Sequence, residues 1–350
     1  MTPSRPAASL LPLPLPLALS MGDPAGIGGE ISLKAWLERD EGVPAFFVID
    51  DAARLQRLAA ALDLPVPVRP VADGAEAAAS FPEALPVLNR PLPHQAVSGR
   101  PDGRNAGAVI AAIETAVTCV RRGDAAAVVT NPIHKKSLYD AGFPFAGHTE
   151  FLASLACTES QPAIRPVMML VCSELRVVPV TVHVSLRRAV ETLSADAIIA
   201  SAEIVAHALA SDFGLPHPRL AVAGLNPHAG EEGDMGTEEA AIILPAVDRL
   251  RASGIDVSGP LPPDTMFSPL ARRKYDAAIC MYHDQALIPL KTLDFDGGVN
   301  VTLGLPFVRT SPDHGTAFDI AGSGQANPAS LIAALTLGAE LAARRSEHRQ

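Results

Sequence analysis

No run of about 18 uninterrupted apolar residues occurs in the sequence, so it offers no evident membrane-spanning helix. Residues 7–19, AASLLPLPLPLAL, are apolar and follow Arg5, which has the outline of a signal peptide. Pro12, Pro14 and Pro16 break any helix there, and no small-residue cleavage site follows. Residues 1–14 are read as a flexible tail, and the expected location is cytoplasmic. Cysteine is scarce: Cys119, Cys157, Cys172 and Cys280, none in a C-x-x-C pair and each in an apolar stretch. Small buried hydrophobes in a reducing compartment explain them without a disulfide framework. Positive charge is in deficit, with 28 Lys and Arg against 38 Asp and Glu and a net charge of −10. That argues against nucleic acid or an anionic membrane as main partner, though not against a small anionic substrate in a locally basic pocket. Internal repeats, charged low-complexity tracts and a G-x-G-x-x-G fingerprint are all missing.

What is present is a foldable composition. Over 350 residues, 48% are hydrophobic and 19% charged, enough for one large or two medium domains. Short apolar runs alternate with longer amphipathic ones. Residues 15–21, 45–49, 126–130, 219–225 and 277–281 read as strands, and 167–171 with 176–182 as a strand pair. Residues 29–39, 52–62, 106–122, 194–212, 236–253 and 328–345 read as helices. The alternation indicates an α/β fold with a mostly parallel sheet covered on both faces. The Pro-rich stretch 63–101 reads as irregular, with a few short edge strands. The expected organisation is a first α/β domain over 15–145 plus 305–345 and a second over 146–304.

Ligands of α/β sheets sit beyond the carboxyl ends of strands, and several polar motifs fall there. Met21-Gly22-Asp23-Pro24-Ala25-Gly26-Ile27-Gly28-Gly29-Glu30 joins a strand to a helix. Its glycines suit either an approaching anion or a tight structural turn. His183, His228 and His283 each follow a predicted strand. One such histidine is more often a hydrogen-bonded core residue, whereas three in the same topological position point to a shared divalent metal. Asp284 would then orient a ligand. His94, His207, His217 and His348 read as surface residues. His148 and Thr149 open a helix, either as its cap or at an anion site. Lys291, Asn300 and Arg309 are spaced nine apart among apolar residues. They call for anionic partners, either a ligand phosphate or carboxylate or protein carboxylates.

Taken together these motifs resemble the 4-hydroxythreonine-4-phosphate dehydrogenase family of pyridoxal phosphate biosynthesis. The likeness runs from about residue 17 to 340, through MGDPAGIGGE, FAGHTEF, LNPHAGEEGDMGTEE, GPLPPDT, YHDQALIPLK and GVNVTLGLPFVRTSPDHGTAFDIAG. It implies a two-domain α/β/α fold like isopropylmalate and isocitrate dehydrogenases, and a homodimer with active sites at the subunit interface. It implies His183, His228 and His283 as ligands of one zinc, magnesium, cobalt or manganese ion, with His148, Thr149, Lys291, Asn300 and Arg309 on the substrate. Asp264 and Lys291 become catalytic candidates, and the general base stays open among Asp264, a lysine and a hydroxide on the metal. Gly315, Thr316, Ala317 and Asn327 match an adenosine-binding loop for NAD or NADP. The chain departs from the family at Gly29, usually Pro, and Ala286, usually Gly; neither replaces a ligand.

The activity so implied is NAD(P)-dependent oxidation of 4-phosphooxy-L-threonine to 2-amino-3-oxo-4-phosphooxybutanoate, which decarboxylates to 3-amino-2-oxopropyl phosphate. Rival readings are a paralogue acting on 4-phospho-threonate, 4-phospho-erythronate or a dihydrodiol, a phosphate acyltransferase of related fold, and a non-catalytic phospho-ligand sensor.

Overall fold

The computed structural model describes residues 15–158 and 163–348; the tail assigned to residues 1–14 lies outside them. The chain divides into two compact units, Met1–Phe143 with His314–Gln350, and Pro144–Asp313. Residues 305–313 therefore belong with the second unit rather than with the first domain, because the last strand there pairs with the one before it.

In unit 1, strands β1 (Leu17–Ser20), β2 (Phe46–Asp50), β3 (Val68–Val71), β4 (Leu85–Asn89) and β5 (Val128–Thr130) form a parallel sheet in the order β3-β4-β2-β1-β5. Every residue of β1, β2 and β5 is buried, as expected of a sheet covered on both faces. The helices are α1 (Gly28–Leu37), α2 (Ala52–Ala61), α3 (Gly74–Ser80), α4 (Ala106–Arg122) and α5 (Lys135–Asp140). Asp51 and Asp73 cap α2 and α3 by accepting the N–H of Arg54 and Glu76. The stretch 63–101 is more regular than its prolines suggest: β4 lies inside the sheet between β3 and β2, and only β3 is at the edge.

Unit 2 carries β6 (Val167–Val171), β7 (Arg176–Pro179), β8 (Leu220–Ala223), β9 (Val257–Leu261), β10 (Ala277–Cys280), β11 (Val299–Leu303) and β12 (Arg309–Pro312), ordered β12-β11-β6-β7-β10-β8-β9. The first three pairings are antiparallel, including the β6–β7 pair expected from sequence, and the rest are parallel. Its helices are α6 (His148–Ala156), α7 (Leu186–Thr192), α8 (Ala195–Ser211), α9 (Leu244–Ala252), α10 (Pro263–Met266), α11 (Pro269–Arg272) and α12 (His283–Leu293). Helix α13 (Ala329–Glu347) closes unit 1. Among the described residues no single helix is long and apolar enough to cross a membrane.

Candidate active site

Three neighbouring parallel strands, β7, β10 and β8, release the three histidines at their carboxyl ends. The stretch after β7 stays beside β10, because Val180 N–H donates to Cys280 O at 2.8 Å and Thr181 Oγ1 to Met281 O at 2.8 Å. His183 ends that stretch with φ at +52°, and His283 begins α12. Their ring centroids are 5.9 Å apart. Both line a cavity of about 210 Å³ with Thr181, Leu186, Tyr282 and Asp284. His283 Nδ1 meets Asp284 Oδ1 at 2.7 Å, so a proton on Nδ1 leaves the Nε2 lone pair for a ligand. Burial, with Cys280 and Asp284 adding, holds the Tyr282 phenol above its ordinary range.

His228 follows a different path. Residues 228–232 all have positive φ, from +39° to +81°, a left-handed turn that costs non-glycine residues about 1–2 kcal/mol each. The loop packs against α10 and β9. Among the described residues no group of three or more His, Cys, Asp or Glu side chains is gathered as a metal site. The two imidazoles, with a carboxylate on one, are donors of the kind a divalent ion takes. Asp264 lies exposed on α10, the helix against which the His228 loop packs.

Two of the anion candidates, Asn300 and Arg309, lie on the antiparallel strands of unit 2. Asn300 faces Ser311 across β11 and β12, and Arg309 Nη1 donates to Thr302 Oγ1 at 2.9 Å. Alternation puts Asn300, Thr302 and Arg309 on one face. Arg309 is 3% exposed, and burial pulls its guanidinium down to about 10. Asn300 Oδ1 is buried with no hydrogen-bond partner among the described residues. Lys291 pairs with the Asp313 carboxylate at 3.0 Å, so a protein partner is already in place for that cation. Neither His148 nor Thr149 is the cap of α6: Gly147 holds the cap position and makes no side-chain cap bond. His94, His207, His217 and His348 are exposed, as expected.

In unit 1 the segment after residue 313 lies on the β1–α1 turn. Thr316 O accepts from Ile27 N–H at 3.0 Å, and a side chain at Gly26 would come within 2.9 Å of that oxygen. The glycines of the MGDPAGIGGE motif thus serve close backbone packing. Ala317 has φ +42°. Gly315 faces open space, and His314 Nε2 beside it is buried without a hydrogen-bond partner among the described residues. An open floor with an orphaned nitrogen, at the carboxyl end of a parallel sheet, fits a polar ligand such as a dinucleotide. Asn327 Oδ1 accepts from Ala329 N–H at 3.0 Å at the start of α13.

The sequence model described as "Pyridoxal phosphate biosynthetic protein PdxA" matches residues 43–338. The chain belongs to this family. It is 56% identical over 339 residues to a 4-hydroxythreonine-4-phosphate dehydrogenase of Bradyrhizobium diazoefficiens, covering 95% of this chain and 98% of that one. Among solved structures, the 4-hydroxythreonine-4-phosphate dehydrogenase of Klebsiella pneumoniae superposes with TM-score 0.82 at 38% identity, covering 94% and 99%. A terephthalate 1,2-cis-dihydrodiol dehydrogenase from Burkholderia xenovorans LB400 is more distant, with TM-score 0.61 and 30% identity over 93% and 98%.

Sequence reasoning on this PdxA-family chain missed two buried residues that shape the histidine loops. Gln285 Oε1 accepts from Met281 N–H at 2.6 Å and its Nε2 donates to Gly224 O at 2.7 Å, tying the exits of β10 and β8. Glu239 is 5% exposed. Its Oε1 accepts the N–H groups of Leu225 and Asn226, both at 2.7 Å, and its Oε2 accepts from Asn226 Nδ2 at 3.0 Å. A side chain at Gly230, which has φ +81°, would meet Glu239 Oε2 at 2.7 Å. The available signal was the paired Glu238-Glu239 just after a glycine-rich loop. Glu239→Ala strands two backbone donors, so a loss of about 3 kcal/mol and a Tm lowered by roughly 6–12 °C are expected. Thermal unfolding checks this, and an unmoved Tm would remove the carboxylate clamp.

Proposed function

We propose that the chain oxidises 4-phosphooxy-L-threonine with NAD or NADP, giving 2-amino-3-oxo-4-phosphooxybutanoate, which loses CO₂ to form 3-amino-2-oxopropyl phosphate. The observation that carries this reading is a buried guanidinium, Arg309, on one face with Asn300, in the unit that also holds the His183–His283 pair. A nicotinamide on the loop of Gly315, Thr316, Ala317 and Asn327 would accept the hydride from C3. A zinc, magnesium, cobalt or manganese ion held by His183 and His283, with His228 as third donor, would polarise the C3 hydroxyl.

This chain's own residues supply the placement. Arg309 presents a rigid cationic fork to phosphate or carboxylate. The α6 start at His148 and Thr149 offers N–H groups to the other anionic end. Asn300 adds a carbonyl oxygen for the substrate ammonium or hydroxyl. Lys291, held by Asp313, is the stronger candidate to hand a proton to or from the reacting centre, and Asp264 reaches that centre only with the His228 loop.

The active unit is a homodimer. Among the described residues, nine of the eleven exposed large hydrophobic side chains lie in unit 2, including Val184, Leu186 and Val190 near His183 in sequence, and Ile288 and Phe295 on or next to α12. Val184 and Leu186 line the histidine cavity, so a partner subunit covering these exposed side chains would enclose it. The expected result is NADH or NADPH formation with 4-phosphooxy-L-threonine, abolished by a chelator, from a particle of two chains by light scattering. Turnover of a dihydrodiol or of 4-phospho-threonate in its place would overturn the substrate reading.

A further inference from the structure

The helix pair Glu30 and Lys34 is spaced i,i+4, which on a surface would be a minor ion pair. Here it faces inward. Glu30 is 1% exposed. Its Oε1 accepts from Lys34 Nζ at 2.9 Å and from Ala326 N–H at 2.9 Å, and its Oε2 accepts from Gly322 N–H at 3.2 Å. Lys34 Nζ also donates to Gly324 O at 2.8 Å and Ala326 O at 2.7 Å. All three ammonium protons are thereby committed, so Lys34 is not left to bind a phosphate itself.

Residues 322–326 form no helix or strand, and Gly322 and Gly324 turn at φ +74° and +80°. The segment has no ladder of its own to define its path. Beyond the local bonds of Ser323 N–H to Ile320 O and Gln325 N–H to Ser323 Oγ, its backbone is held by the two side chains of α1, nearly 300 residues away in sequence. Asn327 follows directly.

We propose that Glu30 and Lys34 are positioning residues that preset the 322–327 segment for a nicotinamide dinucleotide. The inference rests on the reading of Gly315–Ala317 and Asn327 as the cofactor loop. A loop held in its binding geometry spends no affinity on being ordered, whereas a loop competent only part of the time binds more weakly by that fraction. Neither residue touches the dinucleotide, so its effect is on cofactor affinity and not on the substrate.

The test uses full-length wild type, Glu30→Gln, Lys34→Met and Asn327→Ala, with NADH and NADPH fluorescence titration, separate KM values for cofactor and substrate, and hydrogen exchange of the Gly322 and Ala326 amides. Glu30→Gln and Lys34→Met are expected to weaken dinucleotide binding by on the order of 10- to 100-fold, to raise the cofactor KM in step, and to speed exchange at both amides. The substrate KM stays within about threefold, which a general loss of structure would not leave untouched. If Glu30→Gln does not fold, Lys34→Met, which keeps both backbone bonds to Glu30, carries the test. A folded variant with wild-type dinucleotide affinity overturns the proposal, as does unchanged amide protection. Wild-type affinity in Asn327→Ala, or no dinucleotide binding by the wild type, instead sinks the cofactor-loop reading beneath it.

Discussion

His283→Ala is expected to leave a folded protein without bound divalent ion and with kcat reduced on the order of 10³-fold or more, the scale set by losing a several-kcal/mol electrophile. His283 is the informative choice because α12 and the Asp284 carboxylate fix its ring. Asp284→Asn should then lower metal affinity about 10- to 100-fold while leaving the ligand in place. Metal content by mass spectrometry and steady-state turnover check both. Full turnover by metal-free His283→Ala would end the metal reading. His228→Ala separates two arrangements. Equal loss there means that assembly or loop movement brings His228 to the pair, while retained metal means that another group is the third donor.

Arg309→Ala is expected to raise the substrate KM by roughly 100-fold or more, with a smaller change in kcat, since a buried guanidinium makes charge-assisted bonds worth about 1.5–3 kcal/mol each. Arg309→Lys keeps the charge and loses the fork, so it should recover only part of the affinity. The lowered guanidinium also sets a pH limit. Burial disfavours the cation, so the proton leaves near pH 10 instead of well above it. Substrate binding through this group should hold from pH 6 to about 9 and decline as pH passes about 10. Initial rates across that range check the pattern, and a KM unchanged in Arg309→Ala would take the residue out of the site.

Apolar periodicity made the skeleton legible. Residues 45–49 read as a strand and β2 spans Phe46–Asp50; residues 106–122 read as a helix and α4 spans the same residues. It failed in 63–101 because Pro70 and Pro86 look like breakers, yet both lie in strands, paired as Pro70 with Val87 and Arg69 with Pro86. Pro70 lies exposed on the edge strand β3, where proline is tolerated, whereas Pro86 is buried inside the sheet in β4. In the candidate site, the emergence of three histidines from strand ends could be read, because it depends only on strand order. The left-handed course of 228–232 could not, since it depends on Glu239, eleven residues beyond His228, reaching back to two amides. Gly29 is a smaller case. A side chain there would sit 2.9 Å from Arg54 Nη1, so the departure from the family's proline leaves room for that guanidinium.

Strands β7, β8 and β10 carry none of the three histidines, which lie in the segments that leave them. That separation lets natural selection alter a reaction without reopening the core. A changed loop after β8 can relocate a donor while the sheet beneath still folds. The dihydrodiol dehydrogenase that shares this architecture at 30% identity is what such retooling would leave behind.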